Sequence, residues 1–240
     1  MCCARSPDAP PLGLMASLLG PGIASAEGSP ERYADMSVLS EAERRRIASC
    51  VARRQREYAA TRVLARQAFR RLGHEPVALL NHEDGSPRWP EGVVGSVTHT
   101  RGLCAVAVSR CESVLSLGID AESDAPLKDA TLRHVVTESE LSMLGAHAEG
   151  WGRCVGSLAK LVFSAKESVY KAQYPLTRAY LGFQEVEVEF DWGAGTFFAR
   201  VRRPLRHAGS ALPNPLVGCF AAGPQLWGTA VTLSADGAWR

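Results

Sequence analysis

The sequence contains no long hydrophobic run and no strong excess of charge of one sign. None of its segments reaches the roughly 18 consecutive apolar residues that a membrane-spanning helix requires. Its 27 basic side chains nearly balance 25 acidic ones, for a formal net charge of +2, which argues against a protein that coats a polyanion through its overall charge. The hydrophobic share of 46% is ordinary for a globular chain. We expect one large domain or two small ones, with no membrane and no nucleic-acid partner.

Cysteines in a metal-binding or disulfide-forming arrangement are also absent. The seven cysteines are scattered and include no Cys-x-x-Cys pair, which excludes the usual zinc sites and a disulfide framework. Residues 12–26 are fairly apolar and end in Ala-Ser-Ala, as a secretory leader can. However, glycines and a proline interrupt this stretch, and Arg5 is the only basic residue before it. Reduced thiols and this broken leader predict a cytoplasmic protein.

The first part of the chain begins with a segment rich in Pro, Gly, Ala and Ser, residues 1–38, which predicts a leader or N-terminal extension. Ser40 and Glu43 form a capping-box pattern, and they begin a helix that is predicted to run to Leu72, where Gly73 ends it. Three short apolar runs follow and predict an antiparallel meander. They cover residues 93–97, 103–108 and 114–119.

The second part repeats this order of helix and strands. A short helix begins at Thr137, and a longer one covers residues 158–173 and is predicted to end at Pro175. Strands are predicted at 186–190, 196–201 and 227–233, and the proline-rich residues 203–226 predict a surface loop. The repeated order predicts an α+β fold with two similar halves packed together, 39–117 and 118–240.

Two carboxylates stand at the predicted end of one strand. Asp120 and Glu122 are two residues apart, so an extended backbone points both side chains to the same face. Carboxylate oxygens are the protein ligands that Mg²⁺ prefers, with water and phosphate oxygens completing the shell. A polar strand end that leads into the turn at 123–126 explains the same residues, and the pair alone does not decide between the two interpretations.

The predicted helix at 158–173 carries one carboxylate between two lysines, Lys166, Glu167 and Lys171. Glu167 and Lys171 lie four residues apart and share a helix face. They could serve a phosphate-bearing substrate, with the carboxylate as metal ligand or base and ammonium groups for the phosphates. An ordinary surface ion pair has the same spacing.

Candidate anion-binding groups occur in the first half. Arg54 and Arg62 are eight residues apart on one face of the first long helix, and a guanidinium group matches the geometry of a phosphate. His99 follows small and hydroxyl side chains at a predicted strand end. Since neither a Walker loop nor a Rossmann glycine fingerprint is present, a nucleotide would be held in another way. The alternatives are a solvated basic face, or one that binds nucleic acid.

In combination, these motifs resemble the phosphopantetheinyl transferases, specifically the larger monomeric group that includes the enterobactin-synthesis, surfactin-synthesis-like and actinobacterial polyketide-activating enzymes. The matching segments occur in family order over about residues 20 to 235. They are 53–58 with Arg62 and 65–66, 81–90, Gly-Ser-Val-Thr-His at 95–99, Gly-Ile-Asp-Ala-Glu at 118–122, Phe-Ser-Ala-Lys-Glu at 163–167 with Lys171, 175–177 and 181–183.

This resemblance implies a reaction and its participants. The enzyme would transfer 4′-phosphopantetheine from coenzyme A to a serine of an acyl or peptidyl carrier protein, with Mg²⁺, and release adenosine 3′,5′-bisphosphate. The fold would be a pseudo-twofold pair of similar α+β halves that hold coenzyme A between them. We expect a cytoplasmic monomer that serves carriers of polyketide, nonribosomal-peptide or siderophore synthesis, which present an acidic recognition helix.

The resemblance also implies roles for individual residues. The metal ligands would be Asp120, Glu122 and Glu167, and Glu167 would also be the base for the carrier serine. Two lysines would neutralise the phosphates during transfer, Lys166 and Lys171. The remaining residues expected to bind coenzyme A are Arg54, Arg62, Asn81, Ser96, Thr98 and His99, and Asn81 stands where some relatives carry lysine.

Two alternatives remain at this point. A relative of these enzymes that has lost catalysis would keep the fold and bind carrier proteins. A nucleic-acid-binding module would use the arginine-rich helix and keep the acidic motifs for structure only, and its affinity would fall steeply with salt.

Overall fold

Two long helices, each packed on an antiparallel sheet, dominate the computed structural model, which describes residues 13–235. This arrangement confirms the predicted α+β class with antiparallel sheets. Among residues 13–235, no helix combines the length and the apolar character that a membrane crossing requires. All five cysteines within that range have free thiols, whereas Cys2 and Cys3 lie outside it.

The first sheet has three strands and one long helix on its face. Its elements are β1 (Ile23–Gly28), α1 (Pro30–Tyr33), α2 (Glu41–Ile47), α3 (Ala52–Arg71), β2 (Val93–Thr100) and β3 (Leu103–Arg110). The strand order is β1–β3–β2. Ala60, Leu64 and Ala68 recur at four-residue spacing along α3, and each is fully buried, so one face of this helix forms the core over the sheet.

The second sheet has five strands and carries the longest helix. Its elements are β4 (Val114–Ser123), α4 (Asp129–Val135), α5 (Glu138–His147), α6 (Val155–Thr177), a 3-10 turn (Phe183–Glu185), β5 (Val186–Asp191), β6 (Thr196–Val201), β9 (Leu216–Ala222) and β10 (Leu226–Ser234), with a small hairpin of β7 (Arg206–His207) and β8 (Ser210–Ala211). The strand order is β4–β10–β9–β6–β5. Leu158, Val162 and Val169 of α6 are fully buried in the core over this sheet.

The predicted meander is wrong for its third strand. The first two runs do form a hairpin, β2 and β3. Strand β4 instead joins the second sheet and pairs with β10, with Asp120 opposite Thr229. The free edge of β3 is taken by β1, which comes from the segment predicted as a leader; residues 1–12 of that segment lie outside the described residues. The division into 39–117 and 118–240 stays a prediction.

Three predicted boundaries also need correction. The first helix does not run unbroken to Leu72, because α2 ends at Ile47, and the Gln55 amide donates to the carbonyl of Cys50 in the break (3.0 Å). The second long helix continues through Pro175 and ends at a left-handed residue, Arg178, with φ 54°. The predicted loop at 203–226 contains β7, β8 and β9. The capping box predicted at Ser40 is present, and the short helix predicted to begin at Thr137 also begins with a capping box.

Strands β2 and β4 join the two halves through side chains rather than a backbone ladder. The Ser96 hydroxyl accepts a hydrogen bond from the N–H of Ile119 (3.0 Å), and the Thr98 hydroxyl accepts one from the N–H of Ala121 (3.1 Å). An apolar cluster fills the space between the sheets. It includes Met15, Leu103, Ala105, Leu117 and Ile119. The hydroxyls therefore satisfy buried N–H groups where the two sheets meet.

Helix α6 approaches β4 most closely at Gly118. A Cβ atom at this position would lie 2.0 Å from the carbonyl oxygen of Ser168 and 2.6 Å from the nitrogen of Ala172. Only glycine lets the two backbones come this near. The close approach places the middle of α6 beside the carboxylate-bearing end of β4.

We predict that Gly118→Ala destabilises the protein by about 1–3 kcal/mol, because the methyl group must push α6 away from β4. Urea unfolding measures the change. Gly145→Ala is the matched control: Gly145 is exposed on α5, and a Cβ there meets nothing within 4 Å, so this change should stabilise by about 1 kcal/mol or less. Equal stability of Gly118→Ala and the wild type would contradict the proposed close contact.

Candidate functional site

A cavity of about 800 Å³ lies between the two halves of the molecule. Its walls come from α2 and α3, the segment 81–89, β2 and the C-terminal part of α6. This volume lies within the range of small-molecule and cofactor sites in proteins. Since both halves contribute to the walls, the cavity depends on their junction.

The lining of the cavity is rich in cations. Five positively charged side chains reach it, and they come from both halves: Arg46, Arg54, Arg62, Lys171 and Arg178. The acidic side chains that line it are Asp84 and Glu167. Low-dielectric walls concentrate the field of like charges, so the cavity favours an anionic ligand of nucleotide size.

Arg62 is the most deeply buried cation of the lining, with 3% of its surface exposed. Its guanidinium group donates to Asn81 Oδ1 (2.6 Å) and to Thr61 Oγ1 (3.2 Å) and lies over the Tyr58 ring, 3.8 Å from the ring centroid. Burial lowers the pKa of Arg62 from its ordinary value, but an arginine stays protonated in proteins. Its buried Nε has no hydrogen-bond partner among residues 13–235. A buried cation with a free donor is suited to a phosphate oxygen.

Arg54 and His99 contact each other across the cavity wall. A guanidinium nitrogen of Arg54 lies against Nε2 of His99, and Nδ1 of His99 lies 3.6 Å from the Glu57 carboxylate. Burial, and then the charge of Arg54, lower the pKa of His99 below its usual 6.5. This lowered pKa favours the neutral form of His99 at pH 7. Because a guanidinium group only donates, Nε2 accepts from Arg54, and the ring proton lies on Nδ1, the nitrogen nearest Glu57.

The segment 81–89 is tied to the end of α6. Asp84 accepts a hydrogen bond from the Tyr174 hydroxyl (3.1 Å) and lies 3.3 Å from the Arg178 guanidinium. Hydrogen bonds from Ser86, then those from Tyr174 and the charge of Arg178, lower the pKa of Asp84 to about 2. The Asn81 amide donates to the Gly85 carbonyl (2.6 Å). The contacts of Asp84 connect the two halves along the edge of the cavity, and the bond of Asn81 holds the segment itself in shape.

Asp120 stands beside the cavity rather than among the residues that line it. One carboxylate oxygen, Oδ1, accepts hydrogen bonds from Lys171 Nζ (2.6 Å) and Thr98 Oγ1 (3.1 Å). The other, Oδ2, is buried and has no hydrogen-bond partner among the described residues. A buried carboxylate oxygen without a partner is costly, and a cation would satisfy it.

Glu122 and Glu167 complete the predicted carboxylate group. Glu122 accepts a hydrogen bond from Lys160 Nζ (2.9 Å). Burial raises the pKa of both glutamates from their ordinary value, and the negative charge of Asp120 raises them further. The three acidic side chains are therefore close enough to interact electrostatically.

Residues 13–235 nevertheless do not form a ready-made metal cage. In the part of the chain that the structure describes, no three His, Cys, Asp or Glu side chains are grouped closely enough to hold a metal ion as they stand. Instead, the ammonium groups of Lys171 and Lys160 contact Asp120 and Glu122. The donor chemistry still fits a hard cation, because carboxylate oxygens suit Mg²⁺ and Asp120 offers an unpaired one. The magnesium triad stays a prediction.

Besides Asp120 and Glu122, two more of the predicted site residues do not line the cavity, and a third lines it with its hydroxyl already bonded. Lys166 is buried beneath α6, where its ammonium group donates to other protein groups, so its placement gives no support to the predicted phosphate contact. Thr98 holds Asp120 instead of lining the cavity. Ser96 lines the cavity, while its hydroxyl bonds to the β4 backbone.

The structure also adds residues that sequence reasoning missed. Arg46 and Arg178 line the cavity, and Lys160 neutralises Glu122. Lys160 could have been found, because it precedes Glu167 by seven residues and two helical turns return it to nearly the same face. Arg178 could not, since its position follows from the left-handed end of α6.

Comparison with known proteins agrees with this architecture. The family model described as the 4′-phosphopantetheinyl transferase N-terminal domain matches residues 42–109, and the model described as the 4′-phosphopantetheinyl transferase superfamily matches residues 116–212. The two matches fall on the two halves that meet at the cavity. They confirm the family predicted from the sequence.

Individual relatives extend the similarity over most of the chain. The chain is 42% identical to 4′-phosphopantetheinyl transferase Svp of Streptomyces mobaraensis over 205 residues, 83% of this chain and 80% of the relative. It is 33% identical to PptT of Mycobacterium tuberculosis over 208 residues, 84% and 88% of the two chains. With enterobactin synthase component D of Salmonella typhi it shares 30% identity over 129 residues, 53% and 51%. Because both halves match and the cavity lies between them, the chain belongs to the 4′-phosphopantetheinyl transferase superfamily.

Proposed function

We propose that this chain transfers 4′-phosphopantetheine from coenzyme A, bound in the cavity between the halves, to a serine of carrier proteins. The observation that carries the proposal is the cation-rich cavity with Glu167 at its wall. Coenzyme A is a nucleotide with a pyrophosphate and a 3′-phosphate, so its charge matches that lining. Family membership indicates the reaction, and the residues of the cavity provide the groups that would bind the phosphates and accept the proton.

The first half binds the nucleotide in this proposal. Arg62, Arg54 and His99 face the cavity from α3 and β2 and would bind the 3′-phosphate and its neighbours. The Nε of Arg62, which has no partner among residues 13–235, supports its role. His99 contacts the Arg54 guanidinium and so helps to hold that cation at the cavity wall. Asn81 orients Arg62, and it stands in the same wall.

The second half acts on the pyrophosphate. Asp120, Glu122 and Glu167 would hold Mg²⁺, which when bound would supply positive charge to the pyrophosphate oxygens. Lys171 lines the cavity next to Asp120 and would neutralise charge that develops on the departing phosphate. Thr98 keeps Asp120 in place through its hydroxyl.

Glu167 would accept the proton of the carrier serine, directly or through a water molecule. The serine oxygen then bonds to the phosphorus that bears pantetheine, the bond from that phosphorus to the bridging oxygen breaks, and adenosine 3′,5′-bisphosphate leaves with the electron pair. Burial and neighbouring negative charge raise the pKa of Glu167, which makes this carboxylate a stronger base.

The carriers belong to polyketide, nonribosomal-peptide or siderophore synthesis in this proposal, and the enzyme is a cytoplasmic monomer. Similarity to a relative named enterobactin synthase component D supports the siderophore case. A nucleic-acid-binding role is not favoured, because exposed arginines such as Arg45 and Arg53 pair with glutamates of their own helices, while others line the cavity.

Mass spectrometry of a carrier panel tests the function. Incubation of apo-carriers with this protein, coenzyme A and Mg²⁺ should add the mass of one phosphopantetheine to at least one carrier, at its serine. Excess EDTA should abolish the gain and added Mg²⁺ should restore it. A panel without any gain would refute the proposed function, whereas transfer that persists in EDTA would refute the metal role alone.

For Arg62→Ala we predict that the Kd for coenzyme A rises by about 10- to 100-fold, since a hydrogen bond to a charged group contributes about 1.5–3 kcal/mol. Isothermal titration calorimetry measures this affinity. Arg70→Ala is the matched control, because Arg70 is exposed at the end of the same helix and is not among the residues that line the cavity. An unchanged Kd for Arg62→Ala would show that Arg62 does not contact the ligand.

For Glu167→Gln we predict a fall in kcat of about 10²- to 10⁴-fold, the usual contribution of a general base. Affinity for coenzyme A, measured without divalent metal, should change little because the cations that bind the phosphates remain. Glu189→Gln serves as the control, since Glu189 is exposed on β5, at the sheet edge opposite β4. A kcat near the wild-type value would exclude Glu167 as the base.

A further inference from the structure

We propose that Lys166 and Glu140 form a buried ion pair that fixes the rotation of α6 and thereby directs Glu167 into the cavity. Lys166 is then a positioning residue and not a phosphate ligand. This inference rests on the proposed function, because it assigns a residue that supports the same site.

The ammonium group of Lys166 has a full set of protein partners. It donates to the carbonyl oxygens of Val135 (2.8 Å) and Phe183 (2.9 Å) and to the Glu140 carboxylate (2.8 Å). An ammonium group has three N–H donors, so none remains for a phosphate. The side chains of Lys166 and Glu140 are each 1% exposed, which keeps both away from any ligand in solution.

Glu140 connects this pair to the surrounding elements. Its carboxylate accepts hydrogen bonds from the N–H of Thr137 (2.8 Å), where it completes the capping box of α5, and from the N–H of Val188 on β5 (2.7 Å). The pair therefore joins α6 to the start of α5, to the end of α4 at Val135, to the 3-10 turn at Phe183 and to β5. A rotation of α6 would break several of these bonds together.

Because of the helical repeat, the fixed position of Lys166 determines the direction of the Glu167 side chain. Successive residues of an α-helix are about 100° apart around its axis. Lys166 points into the protein beneath α6, whereas Glu167 is half-buried and lines the cavity. Fixing the first side chain therefore fixes the second on the neighbouring face.

A second set of contacts holds α6 against β4. Gly118 lets the α6 backbone rest directly against β4, and Lys171 bonds to Asp120 and to the carbonyl of Ile119. The contact at Gly118 sets the distance of α6 from β4. The pair of Lys166 and Glu140 sets its rotation.

An apolar side chain at 166 would be buried equally well but would lack the directional bonds that select one rotation. Removing one partner of a buried ion pair leaves the other charge uncompensated, whereas removing both is far less harmful. This asymmetry distinguishes a positioning pair from a phosphate contact.

The test uses the full-length protein and compares two lysines of α6. We expect Lys166→Met to lower kcat for transfer by about 10²-fold, as for a small misplacement of a reacting group. Its Kd for coenzyme A, measured by calorimetry without divalent metal, should stay within about threefold of the wild type. Lys171→Met is the matched control, and its Kd should rise by about 10- to 100-fold because Lys171 lines the cavity.

A second variant tests the pairing itself. Adding Glu140→Gln to Lys166→Met removes the uncompensated carboxylate charge, so kcat should recover by about tenfold relative to Lys166→Met. A Kd for Lys166→Met that rises as far as that of Lys171→Met would overturn the proposal, and so would a wild-type kcat or the absence of recovery in the double variant.

Two further outcomes are distinguishable. If Lys166→Met alone does not fold, the double variant decides: reduced kcat with unchanged Kd supports positioning, and weaker coenzyme A binding contradicts it. If the wild-type protein binds coenzyme A but modifies no carrier, the proposed function fails, and the comparison of Kd values for the two lysine variants still judges whether Lys166 contacts the ligand.

Discussion

The close packing of α6 on β4 is the constraint on which the site depends. Gly118 has no side chain, so the two backbones touch there, and the residues just beyond become neighbours. Asp120 on the strand then reaches Lys171 on the helix at 2.6 Å. Since a strand and a helix advance by different distances per residue, only a short stretch of each can be in register. That stretch holds the acidic group and the lysine that neutralises it.

Charge is distributed unevenly between the two halves. The first half contributes the cations Arg46, Arg54 and Arg62 to the cavity. The second half carries the three carboxylates of the predicted metal site, Asp120, Glu122 and Glu167, and the two lysines that contact Glu122 and Asp120, Lys160 and Lys171. Burial alone would make the carboxylates hard to ionise, as the raised pKa values of Glu122 and Glu167 show. The lysines offset part of that cost, so the acidic group can persist in the absence of a bound cation.

Sequence reasoning succeeded where the cause is local. The capping box predicted at Ser40 and the helix start predicted at Thr137 each depend on residues within one helical turn, and both are present. Sequence reasoning failed for strand pairing, in which distant segments compete for the same edge of a sheet. The pairing of β4 with β10 joins residues more than a hundred positions apart, and no local pattern encodes that choice. Lys166 shows a different limit: the sequence places it next to Glu167, but the buried acceptors that hold its ammonium group become visible only in the fold.

The junction between β2 and β4 explains how two sheets can share one site. Hydroxyls of Ser96 and Thr98 take the place of backbone carbonyls in bonding to the edge of β4. Side chains reach further than a backbone ladder allows, so the strands can stay in separate sheets and still satisfy their buried N–H groups. Thr98 also donates to Asp120. The hydroxyl that joins the halves thereby orients the carboxylate as well, so the geometry of the acidic site depends on the junction between the halves.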